Sequence, residues 1–164
     1  MNRRSVLARP FRRWLIALAL TVCGATVALV GGPAVAAPQR VNGHFDLQTS
    51  SGPDCASPFG VCMTGTVSGR IKGTFSFTAM SLLGTSEADV IVTTGDAVVD
   101  TGEGTILCKL TGTLQLNDEG PFVGLCVVTG GTGDWTTASG FLRTTGNFAL
   151  DAGGTGTYDG KVVV

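Results

Sequence analysis

Gly130-Gly131-Thr132-Gly133-Asp134-Trp135-Thr136-Thr137-Ala138-Ser139-Gly140-Phe141, running on to Gly146, is the stretch on which the fold turns. A β-rich run ends at Thr129, and the glycines after it accept positive φ, so the chain can redirect sharply there. Trp135 and Ala138 pin a short turn, and a second β-rich run leaves from Gly140. The stretch reads as the corner of a barrel. Working outward from it, further β-rich runs cover 40–48, 61–71, 73–83, 88–93, 97–101, 104–116, 121–129, 139–150 and 154–163, with Gly, Asp, Asn and Pro between them. Residues 49–60 form the one long loop. Consecutive short runs with hairpin-length links predict an all-β fold, a closed or nearly closed antiparallel up-and-down β-barrel of about eight strands. The short 97–101 piece is the run most readily dropped.

Alternation within each run says which side chains share a face, because residues two apart on a strand point the same way. Phe45, Phe75, Phe77, Phe122, Phe148 and Tyr158 fall on one parity with Ile106, Leu110, Leu114 and Leu116. The glycines inside the runs, Gly43, Gly65, Gly112, Gly124, Gly146 and Gly156 among them, share that parity. Glycine costs entropy in a strand, so its repeated use on the concave face predicts close backbone approach and tight curvature there. His44, Asp46, Arg70, Lys72, Lys109, Arg143, Asp159 and Lys161 take the opposite face. The enclosed face is therefore expected to be dry.

The first part of the chain has a different character. Arg3, Arg4, Arg9, Arg12 and Arg13 precede an apolar run from Trp14 to Val30, and Ala34-Val35-Ala36 fits a small-x-small cleavage site. Residues 1–36 read as a removed secretory signal and 37–164 as a single barrel domain, secreted to the extracellular space. Arg3-Arg4 also suits a twin-arginine route, but four cysteines in the remainder favour the general secretory route. Five of the 11 basic residues leave with the signal and all 12 acidic ones stay, so 6 against 12 leaves a charge of −6. Such a domain has no footprint for nucleic acid or for an anionic membrane surface, both of which need clustered Lys and Arg.

Cys55, Cys62, Cys108 and Cys126 read as two disulfides, with three possible connectivities. Cys55 and Cys62 flank a loop containing Pro58, while Cys108 and Cys126 sit on two runs that fold back around Asn117-Asp118-Glu119-Gly120. Local pairing, Cys55 with Cys62 and Cys108 with Cys126, asks least of the backbone. A zinc site is the alternative and fits poorly, because no C-x-x-C is present and His44 is the only histidine. No metal or other cofactor is expected.

The chemistry of the chain is sparse. Proton-transfer catalysis needs a positioned acid or base, and the alternation places no carboxylate or histidine inside. His44 and Asp46 read as a solvated polar face. No G-x-S-x-G elbow is present. Gly154 to Lys161 lacks the spacing and the Ser/Thr of a phosphate loop. Asp100-Thr101-Gly102-Glu103 and Asn117-Asp118-Glu119-Gly120 are explained by turn chemistry without calcium. No catalytic residue is assigned.

Gly-Gly-Thr-Gly at 130–133, an aromatic at Trp135 and Ala138-Ser139-Gly140 leading into a strand resemble the allene oxide cyclase/dirigent barrel-like superfamily, most closely over residues 105–164. The resemblance implies a β-barrel whose relatives bind small apolar molecules in the lumen, some of them steering a cyclisation by shaping the substrate. The family's acidic and arginine lumen residues have no counterpart on the inward parity. The expectation is a non-catalytic binding or structural module, with a small apolar ligand as partner and Phe45, Phe75, Phe77, Phe122, Phe148 and Tyr158 as the lining, though plain core is the preferred reading of these rings. The alternatives are a cyclase or isomerase acting by cavity shape, and an extracellular interaction module using an outer stripe at Val123, Leu125 and Val127. A lumen of several hundred cubic ångströms favours the first two. A filled lumen with an exposed stripe favours the third.

Overall fold

Eight strands close on themselves in chain order: β1 (Gln39–Ser50), β2 (Cys62–Gly69), β3 (Gly73–Gly84), β4 (Val90–Asp100), β5 (Thr105–Gln115), β6 (Gly120–Gly131), β7 (Ser139–Ala149) and β8 (Gly153–Val163). Every neighbouring pair is antiparallel, and β8 pairs with β1 to complete the barrel. The computed structural model describes residues 36–50, 52–116, 120–149 and 151–164. The proposed signal, apart from Ala36, lies outside the described residues, as do Ser51, Asn117, Asp118, Glu119 and Leu150.

The corner read from the sequence is present. Gly130, Gly133 and Gly140 have φ of 132°, 58° and 139°, which L side chains rarely adopt. Between them Gly133–Trp135 makes a single 3-10 turn, and Ala138, 3% exposed, packs into the core. The corner is tied to the β4–β5 turn, because the Asp134 N–H donates to Glu103 O at 3.3 Å and the Trp135 indole N–H to Thr101 Oγ1 at 3.1 Å.

The runs at 88–93 and 97–101 prove to be one strand, β4, continuous through Thr94-Gly95-Asp96. Turn-like composition suggested a break there. A Cβ at Gly95 would instead collide with the Phe77 ring at 2.6 Å, so the glycine makes room for a neighbour's aromatic side chain. The same device recurs across the barrel. Phe45 pairs in register with Gly156, Phe75 with Gly65, Phe122 with Gly146, Phe148 with Gly154 and Tyr158 with Gly43. Rings over cross-strand glycines explain why large and absent side chains share one parity.

Two bulges adjust the alternation. Between Ala79 and Ser81 the register with β4 shifts, leaving Met80 as the extra, exposed residue and turning Leu82 toward the core while Leu83 is 59% exposed. The Ala79 backbone there serves the long loop, accepting from Ser57 Oγ at 2.6 Å and donating to Val61 O at 3.0 Å. A second shift at Leu107/Cys108 adds a residue to β6. The reading that Leu116 faces inward is corrected: β5 ends at Gln115, and Leu116 beyond it is exposed.

Both disulfides pair locally, Cys55 with Cys62 and Cys108 with Cys126, at Cα–Cα distances of 5.7 and 5.5 Å. The second lies inside the barrel, each cysteine 4% exposed. It crosses diagonally, since Cys108 stands opposite Val128 and Leu110 opposite Cys126.

Candidate functional site

The lumen is filled by the side chains that alternation assigned to it. Two small, adjoining voids lie among these side chains. One, about 70 Å³, is walled by Phe45, Phe75, Phe122 and Tyr158 together with the Cys108–Cys126 bridge. The other, about 60 Å³, is walled by Phe77, Phe122, Phe148 and Thr93. Phe122 stands in the wall of both, and its ring lies 5.7 Å from that of Phe45. Drug-sized ligands occupy pockets of roughly 300–1,000 Å³, so neither void holds one as it stands; the open concavity of that size, about 910 Å³, is lined largely by polar residues of the opposite parity, Asp46, Thr66, Asp100 and Thr155 among them.

No charged side chain is buried among the described residues. The polar atoms inside are hydroxyls. Thr144 touches both voids, and Thr93 Oγ1 is buried without a hydrogen-bond partner. Sequence reasoning passed over both threonines, although Thr144 shares the parity of Leu142 and Gly146. Tyr158 Oη accepts from the Ile71 N–H at 2.9 Å and lies 3.0 Å from Ile71 O and 3.1 Å from Ser68 O. The phenol thereby pins the β2–β3 turn to β8, with Ile71 3% exposed beneath it. Burial raises its pKa above 10.0, and the hydrogen bond with the Ile71 backbone opposes this more weakly. A committed, protonated phenol is a structural tie and a poor base.

The outer face divides by composition. Around β1 to β3 it is polar: His44 stands between Thr157 and Ser68, and Asp46 between Thr155 and Thr66, with no hydrogen bond joining the two. Asp100 Oδ1 accepts from the Gly102 N–H at 3.0 Å, the turn chemistry expected there. No group of His, Cys, Asp or Glu among the described residues is placed to hold a metal. On β6 the outward residues are apolar and open, Val123 at 56%, Leu125 at 44% and Val127 at 45% exposure. Leu107 on β5 and Phe141 on β7, the latter opposite Val127, extend the stripe. Its flanking cations are already neutralised from the strands beyond, Lys109 by Asp96 on β4 and Arg143 by Asp159 on β8. The stripe is therefore apolar with a rim of self-paired charge.

No helix among the described residues is long and apolar enough to cross a membrane. The chain matches no protein-family model, no curated protein and no solved structure.

Proposed function

We propose that this protein is an exported, non-catalytic interaction module that presents the outer face of β5, β6 and β7 to the apolar surface of another protein. The carrying observation is the contrast between a lumen reduced to voids of about 70 and 60 Å³ and a β6 whose outward side chains are about half exposed. An apolar stripe rimmed by internally neutralised ion pairs can be covered without stranding a charge, which suits an uncharged partner surface. Export rests on the residue pattern of 1–36, supported by two disulfides of the kind oxidising compartments maintain. Kinship with the allene oxide cyclase/dirigent barrels belongs to this proposal and rests on the 130–141 corner.

A photo-crosslinking residue at position 125 tests it in the producing cells, with position 66 on the opposite wall as control. The expected result is an adduct to another protein at 125, suppressed by Val123→Ser, and none at 66. Equal labelling at both positions, or none at 125, sinks the proposal.

A small apolar ligand in the lumen is the second reading. It is supported by Phe122 standing between the two voids, since a turn of that ring would merge them toward the roughly 150 Å³ that holds a benzene-sized molecule. Native mass spectrometry showing a stoichiometric bound molecule would favour it over the outer face. A cyclase acting by shape needs the same space for its substrate, and it also needs groups in the lumen that bear on the reaction.

A further inference from the structure

The connections between strands alternate between the two ends of the barrel, and the charges on them do not alternate. The β1–β2, β3–β4 and β7–β8 connections, all at one end, carry Asp54, Glu87, Asp89 and Asp151 and no basic residue. At the other end Arg70 and Lys72 occupy the β2–β3 turn, where the Arg70 N–H donates to Asn42 O at 3.1 Å on β1. Arg40 and Lys161 lie beside them, directly opposed across the β1–β8 pairing. None of these four cations makes an ion pair among the described residues, whereas Lys109 and Arg143 in mid-strand do.

Like charges directly opposed on neighbouring strands destabilise a sheet. Arg40 and Lys161 therefore form a local mismatch that an added anionic surface would relieve. The opposing acids at this end, Asp100, Glu103 and Asp134, sit on the β4 to β7 side, which leaves the cations gathered in one corner. Each end also exposes apolar surface. Leu83, Phe59 and Met80 are 59%, 51% and 50% exposed near the acidic end, and Phe141, 39% exposed, stands opposite Lys161 near the basic corner.

We propose that the barrels associate end to end, the acidic end of one copy seated on the basic corner of the next. The contact joins two different surfaces of each copy, so it is heterologous and propagates into open chains or rings rather than stopping at a two-fold dimer. A charge of −6 for residues 37–164, 6 basic against 12 acidic, opposes approach at long range. End-to-end contact offsets this by setting the most acidic region against the only unpaired cations among the described residues. The inference does not depend on the β6 stripe.

Sedimentation of the purified protein across concentration and salt tests it. The wild type is expected to form concentration-dependent oligomers, with association weakened about tenfold or more between 0.05 and 1 M salt as the screening length contracts. Arg70→Glu with Lys72→Glu should be monomeric alone, and so should Glu87→Lys with Asp89→Lys. An equal mixture of the two should assemble again, because each then offers the charge the other lacks. Circular dichroism of both variants confirms that the barrel is intact. A wild type that stays monomeric, or a mixture that fails to assemble, overturns the proposal. Assembly only with added calcium overturns it too, assigning the acidic end to a cation. Oligomers that survive both charge reversals but are lost in Leu125→Ser also overturn it, and they leave the stripe as the working surface.

Discussion

Strands β2 and β6 face each other across the barrel, four positions apart in a closed ring of eight, and they differ on one side only. Inward, β2 presents Met63, Gly65 and Val67, and β6 presents Phe122, Gly124, Cys126 and Val128, all apolar or glycine. Outward, β2 presents Thr64, Thr66 and Ser68 where β6 presents Val123, Leu125 and Val127. Packing dictates the inner set on both strands, so the inner set says little about purpose. The outer sets answer to solvent alone, and there β6 departs from what solubility asks for. The information about function lies in that departure.

The largest effect should come from breaking the shared inner side. A Cβ at Gly156 would enter the ring of Phe45 and press on Thr145 O, so Gly156→Val is expected to cost about 3 kcal/mol or more, read by denaturant unfolding. Gly112→Val, whose Cβ would stand 2.8 Å from Val123 O, should cost roughly 1–3 kcal/mol. If Gly156→Val unfolded like the wild type, the ring-on-glycine account would be wrong, and an unchanged Gly112→Val would count against the close backbone approach of β6 there.

Tyr158→Phe comes next, because it leaves the Ile71 N–H buried without its acceptor, at about 1–3 kcal/mol. Its pH signature has a definite sign. A phenol whose folded pKa lies above its unfolded value holds its proton more tightly in the folded state. The stabilisation is complete below about pH 10 and is lost as pH rises past it through the folded value. The difference in unfolding free energy between wild type and Tyr158→Phe should therefore shrink in alkali, and a constant difference from pH 8 to 12 would remove the argument.

The smallest effect on stability sharpens the contrast between the two outer faces. Val123→Ser on β6, with the crosslinker kept at position 125, and Thr66→Val on β2 should each change stability by no more than about 0.5 kcal/mol. Only the first should abolish crosslinking from the β6 face. If both variants abolish it, or neither does, the two walls are equivalent and the distinction between them fails.

Most of the architecture was legible because a strand's period of two is rigid. Phe45, Phe77, Ile106 and Phe148 lie inside as their parity requires, and each is almost wholly enclosed. What alternation could not show is where it is interrupted. The bulge at Ala79–Ser81 exchanges the roles of Leu82 and Leu83, and it exists because the long loop takes the Ala79 backbone through Ser57 and Val61, contacts more than fifteen residues away in sequence. Gly95 looked like punctuation because its partner ring, Phe77, belongs to another strand. Of the candidate sites, the stripe at Val123, Leu125 and Val127 could be read directly from parity. The volume of the lumen could not, since it depends on how six rings settle against their glycines.

The seam between β1 and β8 carries a consequence for how the molecule is made. Phe45 meets Gly156, and Val41 meets Gly160, so the first strand waits for the last before its second flank is covered. Pairings this distant in sequence are slow to find, commonly milliseconds to seconds. Until the 11 residues of β8 have emerged and docked, β1 and β7 stand as unprotected margins, with rows of main-chain donors open to any passing strand. The most dangerous interval for this chain is the moment just before completion, and a cell that makes it gains most by shielding those two margins.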